Sequence, residues 1–111
     1  MVYDVELAAR IRELVAEEPG VTEQTMFGGL GFFVHGNMAV AASSQGGALV
    51  RVDPAESDAI VAGSSARPME MRGRQMKGWL RLDVESLRTK RELAKWVALG
   101  TAYARSLPPK R

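Results

Sequence analysis

Residues 30–42 read Leu30-Gly31-Phe32-Phe33-Val34-His35-Gly36-Asn37-Met38-Ala39-Val40-Ala41-Ala42, two short apolar runs around a polar break. Runs this short, the first rich in aromatic and branched side chains, suit strands better than helices. His35-Gly36-Asn37 supplies the residues of a tight reversal, so the stretch predicts a β-hairpin. Outward from it lie two more β-like runs, Thr22 to Phe27 and Ala48 to Val52. Gly28-Gly29 marks a bulge or sharp bend before the hairpin. Ser43-Ser44-Gln45-Gly46-Gly47 makes a looser turn after it. Three consecutive strands joined this closely form an antiparallel meander.

Helices flank the meander. Leu7, Ala8, Ile11, Leu14 and Val15 recur at helical spacing, Asp4 is placed to cap them, and Pro19-Gly20 ends the helix. Glu6 and Arg10 stand four apart in the favourable order, worth ~0.3 kcal/mol on a solvated face. Asp53-Pro54 opens a second, short helix, with Glu56 at the capping-box position and Gly63 at the end. Another hairpin follows: Met69-Glu70-Met71 and Met76 to Leu82 around the turn Arg72-Gly73-Arg74. Thr89-Lys90-Arg91-Glu92 is a second capping box. It launches a final helix whose buried stripe is Leu93, Trp96, Val97, Gly100, Ala104 and Leu107, stopped by Pro108-Pro109. The order is helix, three strands, helix, two strands, helix. That is an α+β fold, with an antiparallel sheet packed by helices. No repeat or linker divides it, so residues 1–111 read as one domain.

The totals agree with an ordinary folded domain. The 111 residues are 46% hydrophobic and 25% charged, far from a disordered composition. With no cysteine, disulfides, thiolate nucleophiles and thiolate metal sites are excluded. The N-terminal segment has neither a signal peptide's apolar block nor a membrane span, so the expected location is cytoplasmic, without a membrane partner. The net charge of +2 hides a division. Residues 1–60 carry three basic and nine acidic side chains, a net of −6, whereas residues 61–111 carry twelve basic and four acidic, a net of +8. The division either makes a basic surface or lets one half neutralise the other.

Reactive constellations are scarce. His35, the single histidine, falls in the hairpin turn without an adjacent nucleophile, and alone it cannot build a metal site. Gly28-Gly29-Leu30-Gly31 runs into strand rather than a helix N-terminus, so Gly28, Gly29, Gly31 and the turn residue Gly36 read as structural glycines, not a phosphate loop. Glu17-Glu18 and Glu56 with Asp58 lie on solvated helices. No catalytic, cofactor or metal residue is expected. The chain reads as a binding or regulatory module rather than an enzyme.

The basic half holds the positive candidates: Arg67, Arg72, Arg74, Lys77, Trp79 and Arg81. If Met76 to Leu82 is a strand, alternation sends Lys77, Trp79 and Arg81 to one face. Three readings stay open. Trp79 is covered by a helix with Lys77 and Arg81 extended around it, or the face contacts a protein through tryptophan and arginine, or it holds nucleic acid by phosphate neutralisation and stacking. Met26, Met38, Met69, Met71 and Met76 all fall in strands, where core filling is the first explanation and an adaptable peptide groove the second.

Two longer blocks carry a resemblance. Met26-Phe27-Gly28-Gly29-Leu30-Gly31-Phe32-Phe33-Val34-His35-Gly36-Asn37-Met38 resembles the opening signature of the TfoX/Sxy N-terminal domain family. Ala66-Arg67-Pro68-Met69-Glu70-Met71-Arg72-Gly73-Arg74-Gln75-Met76-Lys77-Gly78-Trp79 resembles its second. Trp96-Val97 and the run from Ala102 to Pro108 fit its terminal helix. The resemblance spans nearly the whole chain. It implies a secretion-chaperone-like fold in the order read above. It also implies a bacterial role in competence and DNA transformation, through transcription of uptake genes with the cyclic-AMP receptor protein. Better-known members add a C-terminal helical domain, which this sequence is not expected to contain. The expected partner is another protein, related to transcription, with self-association into a homodimer as one form of the contact. Nucleic acid is the alternative partner, and a small ligand the last.

Overall fold

Asp4 opens the first helix as expected: its backbone is extended and its Oδ1 accepts the amide of Leu7 at 3.0 Å, satisfying one of the free N–H groups at a helix start. The computed structural model describes residues 3–26 and 28–109, Met71 by its backbone alone. Over these residues the elements are α1 (Val5–Leu14), β1 (Val21–Met26), β2 (Gly29–Val34), β3 (Asn37–Ala42), β4 (Ala48–Arg51), α2 (Ser57–Ala62), β5 (Arg67–Met71), β6 (Arg74–Leu82), a 3-10 turn (Val84–Leu87) and α3 (Lys90–Ser106).

The α+β class and the single sheet packed by helices are as the sequence indicates. The sheet order is β1-β2-β3-β4-β6-β5, with every neighbouring pair antiparallel. Four strands precede α2, one more than the expected three, because Val21–Met26 pairs along its whole length with β2 as an edge strand. Gly28 (φ 80) stands in the reversal between Met26 and its partner Gly29, so of the two expected forms, bulge or sharp bend, the glycine pair takes the sharp bend, a hairpin turn. Phe27 lies outside the described residues. His35 (φ 51) and Gly36 (φ 84) turn the central hairpin, both left-handed as a two-residue β-turn of this hand requires. From β4 the chain passes through α2 to the edge strand β5, then returns as β6 between them.

The core lies on one face of the sheet. Leu30, Phe32, Val40, Val50, Leu80 and Leu82 meet Leu7, Ile11, Leu93 and Val97 of α1 and α3 there, with Ile60 and Val61 of α2 packed against the same cluster. Each such fully buried side chain contributes about 2 kcal/mol of transfer free energy. In α3 the capping box forms: Thr89 Oγ1 accepts the Glu92 amide at 3.0 Å while Glu92 Oε1 accepts the Thr89 amide at 3.3 Å. Gly100 lets this helix sit on β3, since a Cβ there would run into the Ala39 carbonyl oxygen and come within 3.3 Å of Val50.

Local departures have local causes. Thr101 joins the buried stripe of α3, whereas Leu107 is the extended cap and only half-buried. Arg10 donates to the carbonyls of Leu87 and Arg88, at 2.8 and 3.2 Å, tying α1 to the end of the 3-10 turn; no bond to Glu6 accompanies these. Asp53 Oδ1 accepts the Ala55 amide at 2.9 Å and so stabilises a turn, and α2 begins only at Ser57. Its end at Gly63 is as expected.

Candidate functional site

Strand alternation sends a second set of side chains away from the helices. Phe33, Ala41, Leu49, Trp79 and Arg81 alternate with the core residues of β2, β3, β4 and β6 and so face the other way. A groove of about 930 Å³ lies over this second face. Its floor includes Met26, Met38, Ala41 and Leu49, and its flanks include Met69, Met76 and Trp79. Ser43, Ser44 and Gln45, which follow β3, also line the groove.

One wall is built by the β5–β6 hairpin. Only Trp79 to Leu82 of β6 pair with β4, so Arg74 to Gly78 extend past it with β5 as a two-stranded arm. Two irregularities re-aim that arm. The β5–β6 register shifts between Pro68 and Met69, and Gly78 adopts φ +86. A Cβ at Gly78 would stand 2.9 Å from the Val52 carbonyl oxygen, whereas Gly78's own carbonyl accepts the Val52 amide at 2.8 Å. A glycine bulge of this kind breaks the two-residue period. Met76 consequently lines the same groove as Trp79 and Arg81. Lys77, expected beside them, instead reaches Asp58 of α2 at 3.7 Å.

Each of the remaining sequence candidates has a definite place. Arg67, Arg72, Trp79 and Arg81 line the groove, and Arg74 is exposed on the arm without lining it. Arg67 pairs with Asp83 at 2.6 Å. Arg81 donates over 3.4 Å to Ser43 Oγ and to the Gly46 carbonyl, while the Gln45 amide also donates to Ser43 Oγ at 3.1 Å. Trp79 is half-buried, with the Arg51 guanidinium 5.2 Å from its ring centroid and 5.6 Å from that of Tyr103. Such stacking fixes the arginine as well as the rings. Arg72 (φ 55) and Gly73 (φ 76) turn the tip of the arm.

Among the described side chains no methionine joins the helix-side core cluster, which corrects the core-filling expectation for Met26, Met69 and Met76; they line the groove together with Met38, which is buried there at 8% exposure. The side chain of Met71 lies outside the described residues. Sequence periodicity could not separate the two faces of a strand that is apolar on both. A signal was nonetheless present in residue type: Leu and Ala occur on both faces, whereas the described methionine side chains of the strands collected on the groove side.

Among the structural glycines, Gly29 borders the groove, and Gly31 lies beneath Phe33, whose ring edge would be 2.9 Å from a Cβ there. His35 sits in the β2–β3 turn, at the opposite end of that hairpin from Ser43, with its amide donating to the Gly20 carbonyl at 3.0 Å. Among the described residues no cluster of three histidines, cysteines or carboxylates is placed to hold a metal ion. No helix among them is long and apolar enough to cross a membrane.

A second, smaller recess lies between α1 and β1. Its polar groups are engaged with neighbours: Arg12 donates to both carboxylate oxygens of Glu23 at 2.5 and 2.7 Å, and Arg105 donates to Glu18 at 2.7 Å. The hydrogen bonds from Arg12 hold the Glu23 carboxyl below the usual carboxylate range, against a smaller opposite push from burial. The same contact raises the Arg12 guanidinium.

The sequence model of the family described as TfoX N-terminal domain matches residues 13–104. Comparison with curated proteins and with solved structures found no match.

Proposed function

Because the chain belongs to the TfoX N-terminal domain family, we propose that it is a non-enzymatic regulatory module that works by holding another protein on the open face of its sheet. The observation that carries this reading is the make-up of the groove: four methionines, Trp79 and three arginines gathered over about 930 Å³. Methionine lines surfaces that re-pack around different side chains, and tryptophan and arginine dominate the energetics of protein contacts. The proposed partner, suggested by the family signatures, belongs to the transcription of competence genes, and the proposed site of action is the bacterial cytoplasm.

A photo-reactive amino acid placed at Met76, with a second placed at exposed Ala98 on α3 as control, tests the reading in living cells. The expected result is a defined protein adduct from position 76, resistant to nuclease and absent from position 98. Adducts only to nucleic acid would instead support the stacking and phosphate-neutralising use of Trp79 and the arginines. Equal labelling from both positions would remove the groove from consideration.

A further inference from the structure

The arginines of the groove differ in how far their charge is already answered. Arg67 is engaged by Asp83 at 2.6 Å. Arg72 and Arg81 have no carboxylate within ion-pair distance among the described residues, and the lining contains Glu70 as its one acidic side chain. The two contacts of Arg81, at 3.4 Å each, leave most of the five N–H donors of its guanidinium uncommitted. Beneath these cations the floor is apolar and adaptable.

We propose that the groove takes an acidic peptide segment: its large apolar side chains rest on Met38, Leu49, Met69 and Met76, and its carboxylates pair with Arg72 and Arg81. The inference rests on the protein-docking reading above and specifies its chemistry. A nucleic acid would meet the same cations, but its phosphates and sugars would leave the thioether floor without an apolar partner. Partly exposed charge pairs are each worth a few-fold in affinity, on the order of fivefold at most. Reversing both arginines therefore weakens an acidic ligand on the order of tenfold or more.

The test is selection from a display library of random twelve-residue peptides, run on the full chain and on Arg72→Glu, with Met76→Asp as the groove-blocked variant. Binders are then synthesised and followed through tryptophan emission, with Trp79→Phe, which leaves the buried Trp96 as the sole emitter, as the control that isolates the Trp79 signal. The expected winners for the wild type are rich in Asp and Glu interspersed with Leu, Phe or Met. They weaken as salt rises, lose affinity for Met76→Asp, and bind Arg72→Glu several-fold less. An Arg72→Glu, Arg81→Glu chain, its fold verified by thermal unfolding, selects winners richer in Lys and Arg. Arg72 stands in the exposed turn at the tip of the arm, so the single substitution reports even if the double one fails to fold. Winners that are neutral or basic yet blocked by Met76→Asp overturn the acidic assignment and leave the docking reading standing. An absence of any groove-dependent winner overturns the proposal, and with no protein adduct from position 76 it overturns the docking reading too. A Trp79 signal that changes with protein concentration alone identifies a second copy as the occupant and overturns the proposal in that way.

Discussion

Gly100→Ala sets two effects of similar size against each other. Replacing glycine inside a helix ordinarily stabilises it by about 1 kcal/mol, because alanine loses less backbone entropy. Gly100 is placed where a Cβ meets the backbone oxygen of Ala39, an atom with no rotamer to change, and also comes within 3.3 Å of Val50 Cγ1. Overpacking a tight core costs about 1–3 kcal/mol, and a fixed carbonyl in the centre of the sheet places this case at the upper end. The net expectation is a loss of about 1–2 kcal/mol. For a chain of this size that lowers the melting temperature by roughly 4–8 °C. Urea unfolding followed by circular dichroism reads it as a lower midpoint at unchanged slope. Ala98→Gly, on the exposed side of the same helix, isolates the propensity effect and loses about 1 kcal/mol. If Gly100→Ala proved as stable as the wild type or more so, α3 could not rest on β3 as closely as described, and the reasoning would fail.

Thr89→Ala removes the acceptor for the Glu92 amide and is expected to cost about 1 kcal/mol, measured by the same urea titration. Gly78→Ala places a side chain at φ +86 beside the Val52 carbonyl. It should destabilise the fold by about 1–2 kcal/mol and alter the Trp79 emission, whereas an unchanged spectrum would argue against the arm's bend. Met76→Asp, at a position 36% exposed, should leave stability within about 0.5 kcal/mol of the wild type, so its effect on binding can be separated from folding. Glu23 has a folded-state pKa depressed by Arg12. Its contribution is present above the ordinary glutamate range and is lost as pH falls through the depressed value. Urea midpoints from neutral to acid pH should therefore fall more steeply for the wild type than for Glu23→Gln, and parallel curves would remove the pair from the account.

Much of the architecture was legible because it rests on signals a few residues long. The turn at His35-Gly36, the caps at Asp4 and Thr89 and the stripe from Leu93 to Ala104 need no distant partner to be recognised. The α2 start was misplaced because Asp53 has two uses, capping a helix or closing a turn, and the residues that follow do not distinguish them. Arg10 was assigned to Glu6 because the sequence shows neighbours four apart but not the carbonyls of Leu87 and Arg88, which are brought close only by the fold. At the site, Arg67, Arg72, Trp79 and Arg81 all line the groove, whereas Arg74 and Lys77 do not; for Lys77, strict alternation assumed a regular strand through Gly78. The methionines were noticed as a group, with a groove as the second explanation, but the common face of Met26, Met38, Met69 and Met76 depends on how β1, β3, β5 and β6 are arranged in one sheet, which local sequence does not encode.

The arm formed by β5 and β6 also divides the molecule by stability. From Trp79 onward β6 is held by β4 and its alternate side chains enter the core, whereas Gln75, Met76 and Lys77 are exposed in a ribbon with one neighbour strand. Opening the ribbon costs few apolar contacts, so its amides should exchange with solvent deuterium through local fluctuations while those of Leu80 and Leu82 wait for global unfolding. A ligand seated against Met69 and Met76 would be felt first as slowed exchange in that ribbon, with little change in the protection of the helices.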